Sequence, residues 1–171
     1  KYIVADEQTA LVGSLNFTHR CFKNTSDFLV VTSDHDVASG LGRLFDADCH
    51  ARSTAAPHGL STRLLVAPDH ARSDLRALLT DARRSIRLVD PKLTDPPMLA
   101  LLRAKAASGV QITVLGGPRV AGLRSHGKLL VVDDRLAVIG SLALSETNLD
   151  QRREVALTLR EPVAVARLAH F

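Results

Sequence analysis

The stretch SHGKLLVVDDRLAVIGSLALSETNLDQRREVAL, residues 125–157, decides the fold because its pattern occurs twice in the chain. The other copy is KYIVADEQTALVGSLNFTHRCFKNTSDFLVV, residues 1–31. Lysine, aspartate, glycine, serine and a second carboxylate recur in both stretches, and one offset relates them (128 − 1 = 127). The pairs are Lys1/Lys128, Asp6/Asp133, Gly13/Gly140, Ser14/Ser141 and Asp27/Glu154. One structural element is therefore present twice.

Each copy begins with two apolar runs separated by three polar residues, a pattern that predicts a tight β-hairpin. A polar irregular segment follows each hairpin, and then a run with the composition of a buried strand. The hairpin runs are 2–5 with 9–12 and 129–132 with 136–139, and the later strands are 27–32 and 154–159.

Small, polar, proline and glycine residues over 51–62 predict a domain boundary. We assign 1–52 to the C-terminal part of one lobe, 53–62 to a linker and 63–171 to a second lobe. Between the linker and the second hairpin, the pattern predicts strand, helix, strand, helix, strand, which is typical of an α/β layer with parallel strands. The duplication implies a pseudo-twofold pair of lobes whose repeated hairpins meet at one cleft.

Composition narrows the classes of function. The 171 residues are 46% hydrophobic, enough to fill a core, and no stretch approaches the roughly 18 apolar residues of a membrane span. The net charge of +4 favours an anionic partner. Aromatic residues make up only 4% and tryptophan is absent, which argues against a base-stacking platform for single-stranded nucleic acid.

The repeated polar residues suit the chemistry of a phosphate. His126 and Lys128 lie two residues apart at the start of a strand, so their side chains point to the same face. An imidazole can act as nucleophile or proton carrier while an ammonium group neutralises an oxyanion. Hydroxyl and amide donors, and carboxylates that can orient an imidazole, complete the set of candidates: Ser14, Asn16, Ser141, Asp27 and Glu154.

Alone, a His-x-Lys pair before a hairpin is more often a solvated strand end. The repeat favours function, because packing calls for neither a lysine nor a Gly-Ser pair. We expect no metal site: Cys21 and Cys49 lack metal-type spacing and are expected to be buried or inert thiols. The histidines outside the motif are expected to be surface or packing residues.

The segment HGKLLVVDDRLAVIGS, residues 126–141, is His-x-Lys, four residues, Asp, six residues, Gly-Ser. It resembles the HKD motif of the phospholipase D superfamily, which includes cardiolipin synthases and small endonucleases. Residues 1–17 resemble the same motif without its histidine, which would lie two positions before Lys1; we therefore expect a piece of a longer protein. The resemblance implies an α/β, phospholipase D-like fold of two pseudo-twofold-related lobes with mixed sheets flanked by helices, the first lobe incomplete.

The resemblance also implies a two-step phosphodiester exchange without metal or cofactor, in which one motif histidine becomes phosphorylated and the other protonates the leaving alcohol. His126, Lys128 and Lys1 would belong to this machinery, and the motif aspartates Asp6 and Asp133 would brace it at the hairpin turns. Each carboxylate would serve the histidine of the opposite lobe, so that Asp27 orients His126 and Glu154 the other one. With one motif histidine, residues 1–171 alone are expected to turn over natural phosphodiesters poorly.

Two departures from the family pattern stand out. The first copy continues as GSLN with Asn16, whereas the second has Ala143 at that position, so the two phosphate cradles differ. A Gly-rich segment, 116–124, precedes His126, and its Arg119 and Arg124 would either hold a phosphate or headgroup or form a solvated turn.

Three functions remain open at this point. The leading hypothesis is hydrolysis or phosphatidyl transfer on glycerophospholipids, which makes a phospholipid the expected substrate and an anionic membrane surface a candidate partner. A phospholipase D-family nuclease would use the same residues, although nucleic acid is the less favoured partner. The third is a non-catalytic binding module, which the alanine at position 143 favours and the complete set of His126, Lys128, Ser141 and Glu154 disfavours.

Overall fold

The structure is a computed structural model that describes residues 1–50, 55–120 and 122–170. Its strands, in chain order, are β1 (Tyr2–Ala5), β2 (Thr9–Gly13), β3 (Thr25–Ser26), β4 (Leu29–Thr32), β5 (Leu64–Ala67), β6 (Ser85–Val89), β7 (Gln111–Leu115), β8 (Arg119–Val120), β9 (Leu123–Ser125), β10 (Leu129–Val132), β11 (Leu136–Gly140) and β12 (Glu154–Leu159). The helices are α1 (His19–Asn24), α2 (His35–Cys49), α3 (Ala71–Asp81), α4 (Pro96–Ala107) and α5 (Pro162–Ala169), with a π-helical turn at Thr147–Gln151.

Both predicted hairpins are present and have the same loop. Asp6 and Glu7 have φ angles of 52° and 54°, and Asp133 and Asp134 have φ angles of 54° and 56°. Two consecutive residues with positive φ match the right-handed twist of the flanking strands, and aspartate tolerates this conformation better than most residues. The aspartate of each motif therefore begins a tight turn.

The second lobe is built on a mixed six-stranded sheet with the order β5-β12-β11-β10-β6-β7. Strands β5, β6 and β7 run in one direction, as an α/β layer requires, but only β6 and β7 are parallel neighbours. The hairpin strands β10 and β11, together with β12, lie between β5 and β6, and each of them is antiparallel to its neighbours. The expected parallel layer is thus interrupted, because the fully buried hairpin strands occupy the middle of the sheet.

The lobes share one apolar core. Val12 and Leu41 of the first lobe belong to the same buried cluster as Val131, Ile139 and Leu157 of the second. The repeated hairpins consequently pack against each other's lobes rather than on opposite sides of the molecule. This packing brings the ends of both repeated elements to one junction.

The outer faces of the two sheets differ. In the second lobe, Leu130 and Ala156 lie in the cluster that α3 and α4 cover. The corresponding residues of the three-stranded sheet β1-β2-β4, Ile3 and Leu29, are 50% and 44% exposed. Within the described residues, no helix covers that face of the first lobe.

Three helices, α1, α2 and α5, were not predicted from the sequence, and α1 lies in a segment that was expected to be irregular. Helix α2 begins at an N-cap aspartate, Asp34, whose side chain accepts a hydrogen bond from the Val37 amide, and Leu41 and Leu44 continue its buried face. Two glycines within α2 obscured this pattern, since glycine disfavours helix interiors. Helix α5 begins with Pro162 and was also not predicted.

The linker assignment, 53–62, stays a prediction. Residues 53 and 54 lie outside the described residues, and the segment from Pro57 to Thr62 contains only turns and irregular backbone. Both cysteines are free thiols; Cys21 is buried and Cys49 is exposed, so for Cys49 the expectation of a buried or inert thiol stays a prediction as to inertness.

We expect Gly140→Ala to destabilise the protein. An alanine Cβ there would lie 2.3 Å from the Val155 carbonyl oxygen and 2.4 Å from the Ala156 Cα atom. Forcing these strands apart should lower the free energy of unfolding by about 3 kcal/mol. Gly42→Ala in α2 is the control: its Cβ meets nothing within 4 Å, and the helix should gain about 0.5 kcal/mol. Denaturant unfolding measures both; wild-type stability of Gly140→Ala would contradict the close-approach argument.

Candidate active site

The Gly-Ser pairs form the same backbone clamp in both lobes. The amide of Ser14 donates to the Phe28 carbonyl at 3.0 Å, and the Phe28 amide donates to the Ser14 hydroxyl at 3.1 Å. Ser141 and Val155 repeat both contacts at 2.9 and 3.2 Å. Both serines are buried. Each clamp fixes the residue that follows a motif carboxylate, and so it positions Asp27 and Glu154 equivalently.

A short parallel strand pair carries the histidine across the junction between the lobes. Strand β3 pairs with β9, with Ser26 opposite Ser125, and the Ser26 carbonyl accepts from the amides of His126 and Gly127 at 3.3 and 2.7 Å. A Cβ on Gly127 would lie 2.6 Å from the Phe28 ring. The glycine inside the His-x-Lys pattern therefore allows the lobes to approach closely.

Asp27 holds the imidazole of His126. Its Oδ1 lies 2.7 Å from the His126 Nδ1 atom and also accepts from the Ser14 hydroxyl at 2.7 Å, while Thr25 donates to Oδ2. Burial acts to raise the pKa of Asp27, but the hydrogen bonds from His126, Thr25 and Ser14 outweigh it and hold the pKa below its ordinary value. An ionised carboxylate only accepts hydrogen bonds, so the imidazole proton lies on Nδ1.

The other imidazole nitrogen lies beside the first lobe. The His126 side chain is 25% exposed, and its Nε2 atom lies 3.5 Å from the Asn16 amide nitrogen. With the proton on Nδ1, Nε2 carries a lone pair. Asn16 comes from the first lobe and His126 from the second, so both lobes border this nitrogen.

The two motif lysines converge on the same region. Lys128 is buried, and its Nζ atom donates to the His126 carbonyl at 2.7 Å. Lys1 lies with its Nζ atom 3.9 Å from the Glu154 Oε2 atom. Burial lowers the pKa of Lys128, and the positive charge on Lys1 lowers it further. The junction therefore holds two ammonium groups among the carboxylates of Asp27, Asp90 and Glu154.

The second carboxylate has a partner that the sequence analysis missed. Glu154 accepts from the Asn148 amide at 2.9 Å, and the Ser145 hydroxyl donates to the Asn148 side-chain oxygen at 2.8 Å. Asn148 lies on the π-helical turn and is buried. Its counterpart under the 127-residue offset is Cys21, so the repeat contained no signal for it. The equivalent of Asn16, Ala143, is fully buried.

The motif aspartates lie away from the imidazole. Asp133 accepts from the backbone amides of Arg83, Arg84 and Ser85 at 2.9, 2.7 and 2.8 Å, at the far end of its hairpin. Burial would raise the pKa of Asp133, but these amide donors lower it below the ordinary value. Asp133 thus ties the hairpin turn to the start of β6. Asp6 lies exposed in the corresponding loop.

Asp90 is a second residue that the sequence analysis missed. It follows β6, is only 4% exposed and accepts from the Leu144 and Lys92 amides at 2.6 and 2.8 Å. Burial raises its pKa. Because Leu144 adjoins Ala143, Asp90 anchors the loop that follows the second Gly-Ser pair.

The Gly-rich segment before His126 contains a short strand pair. Strands β8 and β9 form a small antiparallel pair, and the Arg119 guanidinium donates to the Gly122 carbonyl at 2.7 Å. Arg124 is exposed.

Across residues 1–50, 55–120 and 122–170, no group of three or more His, Cys, Asp or Glu side chains has an arrangement that could hold a metal ion. No helix in these ranges is long and apolar enough to cross a membrane.

Comparison with known proteins gives one family match. Residues 1–49 match the family model described as "Cardiolipin synthase, PLD-like domain", where PLD is phospholipase D. A comparison with curated proteins gave no match. The predicted resemblance to the phospholipase D superfamily is confirmed by this match and by the fold of the solved structures below.

Three solved structures illustrate the fold. A polyphosphate kinase from Porphyromonas gingivalis is 20% identical with a TM-score of 0.79, over 98% of this chain and 30% of its own. The phosphatidylserine synthase of Haemophilus influenzae Rd KW20 is 10% identical with a TM-score of 0.80, over 99% of this chain and 60% of its own. Nuc from Salmonella typhimurium, a phospholipase D family member, is 18% identical with a TM-score of 0.56, over 64% of this chain and 90% of its own. The chain has the mixed α/β phospholipase D-like fold, and it spans under a third of the kinase.

We expect Lys128→Met to change the pH dependence of stability. Because burial lowers the pKa of Lys128 in the folded protein, the unfolded chain binds more protons between that pKa and the ordinary value of about 10.4. Wild-type stability should therefore gain a contribution as pH rises through this window, and the variant should lack it. Denaturant unfolding from pH 7 upward should show the wild type gaining relative to Lys128→Met. A difference that is constant or shrinks would contradict the cost assigned to the buried ammonium group.

Proposed function

We propose that the protein catalyses phosphodiester exchange on glycerophospholipids, either hydrolysis or phosphatidyl transfer, through a phosphohistidine on His126. The observation that carries the proposal is the pair formed by His126 and Asp27 across the junction, with the His126 side chain partly exposed and its Nε2 atom beside the Asn16 amide. The family description and the fold support the general class of phosphodiesterase or transferase. The finer activity is our inference.

In the first step, the Nε2 lone pair of His126 attacks phosphorus, a P–N bond forms and the P–O bond to the leaving alcohol breaks. Asp27 keeps the proton on Nδ1 and stabilises the positive charge that develops on the ring. In the second step, water or an alcohol attacks the phosphohistidine, the P–N bond breaks and Nε2 regains its lone pair.

The leaving alcohol needs a proton in the first step, and the attacking group must lose one in the second. We assign this exchange to a second imidazole oriented by Glu154. Glu154 is the pseudo-twofold equivalent of Asp27 and is itself held by Asn148. The two lobes would then contribute one imidazole and one carboxylate each, with each carboxylate serving the histidine of the other lobe.

The charge on the transferred phosphoryl group requires compensation. Lys1 and Lys128 would neutralise its oxygens, since ammonium groups at a partly desolvated site act more strongly than in water. The Asn16 amide, 3.5 Å from Nε2, would donate to an oxygen of a phosphorus bound there. The hydroxyls of Ser14 and Ser141 are bonded within the protein, and their contact with phosphate stays a prediction.

A phospholipid substrate is favoured over nucleic acid by the cardiolipin synthase description of the matching family and by the scarcity of aromatic residues. The likeness to Nuc concerns the fold, and the residues proposed for chemistry would serve either phosphodiester. Release of headgroup from phospholipid, measured beside nicking of plasmid DNA, separates the two substrates.

We expect His126→Ala and Asp27→Asn each to abolish turnover of phospholipid by the full-length protein. Losing the nucleophile should lower kcat at least about a hundredfold. An asparagine at position 27 would donate to Nδ1 and drive the proton to Nε2, so a loss of about a thousandfold or more is expected.

Two exposed residues supply matched controls. His170→Ala and Asp81→Asn repeat the same chemical changes at exposed positions outside the site and should leave turnover within about twofold of wild type. Circular dichroism should show that all four variants are folded. Near-normal turnover by folded His126→Ala protein would refute the assignment of the nucleophile.

A further inference from the structure

We propose that a cavity beside the candidate active site binds the phosphate of an anionic glycerophospholipid headgroup, as a second lipid site distinct from the phosphoryl group that reacts. The cavity has a volume of about 280 Å³. Residues of both lobes line it, and they are Arg20, Asn24, Arg119, Gly122, Leu123 and Arg124. The inference rests on the proposed function, because it assigns the cavity to a substrate or acceptor of that reaction.

Charge is the first argument. Three arginines line the cavity, and no described carboxylate does. Among the described residues, none of the three forms an ion pair, whereas other arginines of the chain, such as Arg72 and Arg153, are paired with aspartates. Concentrating three cations without a counter-ion raises the electrostatic free energy of the protein, and an anion bound among them relieves that cost.

Ligand geometry is the second argument. A guanidinium group presents a planar fork of donors that fits phosphate oxygens in a bidentate manner. Arg20 and Asn24 lie four residues apart on α1 and so share one helix face, while Arg119 and Arg124 face each other across the β8–β9 pair. The Asn24 amide adds a neutral donor. The lining therefore surrounds the cavity with donors from two directions, as a tetrahedral anion requires.

Location is the third argument. Arg124 lies two residues before His126, so their Cα atoms are about 7 Å apart in an extended segment. Its register partner on β3 is Thr25, whose hydroxyl donates to Asp27. An anion held by Arg124 would thus sit beside the strand pair that fixes the His126–Asp27 contact.

The surroundings favour a lipid as the source of that anion. Leu123 lines the cavity beside its arginines and is 40% exposed. An exposed apolar side chain next to arginines suits the boundary between headgroups and acyl chains. An anionic phospholipid presents a phosphate and an apolar body together, and phosphatidylglycerol is the simplest probe with both.

The test measures binding without turnover. The full-length His126→Ala protein is sedimented with vesicles of phosphatidylcholine alone or mixed with phosphatidylglycerol. In this background, Arg20→Gln, Arg119→Gln and Arg124→Gln are each expected to lower affinity for the anionic vesicles about fivefold and to leave weak binding to phosphatidylcholine unchanged. The control is a triple variant with the same loss of charge at exposed arginines outside the cavity: Arg76→Gln, Arg103→Gln and Arg135→Gln. This control should retain its affinity for anionic vesicles within about twofold. The cavity triple variant, which combines Arg20→Gln, Arg119→Gln and Arg124→Gln, should lose most of that affinity.

Each result has a defined meaning. Equal losses of affinity in the two triple variants would overturn the proposal, because they would indicate nonspecific attraction between the protein's net positive charge and the membrane. Unchanged affinity in the cavity triple variant would overturn it outright. Competition by inorganic phosphate as strong as that by soluble short-chain phosphatidylglycerol would assign a free phosphate instead of a lipid. Competition by a single-stranded DNA oligonucleotide, lost in the cavity variant, would assign a nucleic acid. Because these measurements use the His126→Ala background, they are independent of the turnover experiment, so either proposal can fail alone.

Discussion

The hydrogen bond between His126 and Asp27 joins the two lobes at the point where chemistry is proposed, and the rest of the site depends on it. It requires β3 and β9 to pair, a glycine at position 127 to clear the Phe28 ring, and the Ser14 clamp to hold the carboxylate. Each requirement is met by a different part of the chain. Contacts from the first lobe therefore fix both the backbone of His126 and the Nδ1 atom of its ring. The Nε2 atom is left as the nitrogen proposed to react.

The repeated element supplies a scaffold more than a set of ligands. The Gly-Ser pairs serve the backbone, contrary to the expectation that packing does not call for them: the glycines let the next strand approach and the serines bond to it. The aspartates of the motif brace or form the hairpin turns. The histidine, the lysines, Asn16 and the later carboxylates reach the junction. The repeated spacing of the motif therefore reflects two kinds of residue: those that build the scaffold and the few reactive groups that the scaffold positions.

Much of the fold could be predicted from sequence because the repeat fixed equivalent strands, hairpins and polar residues. Strand order could not, since the insertion of the hairpin between β5 and β6 depends on burial of both faces of its strands rather than on local pattern. Helix α2 was hidden by its glycines. Asn148 was missed because the repeat has no polar counterpart for it, and Asp90 because its contact with the Leu144 amide joins residues that are far apart in the sequence. The β3–β9 pair is too short to leave a periodic signal.

The most direct test of the account is to trap the covalent intermediate on the full-length protein and to identify the modified nitrogen. Rapid denaturation in detergent at alkaline pH during turnover of phospholipid preserves the acid-labile P–N bond. Mass spectrometry and phosphorus NMR should then find a phosphohistidine at position 126 with phosphorus on Nε2, because Asp27 occupies Nδ1. Phosphorus on Nδ1, on another residue, or on no residue while turnover proceeds would contradict the central claim.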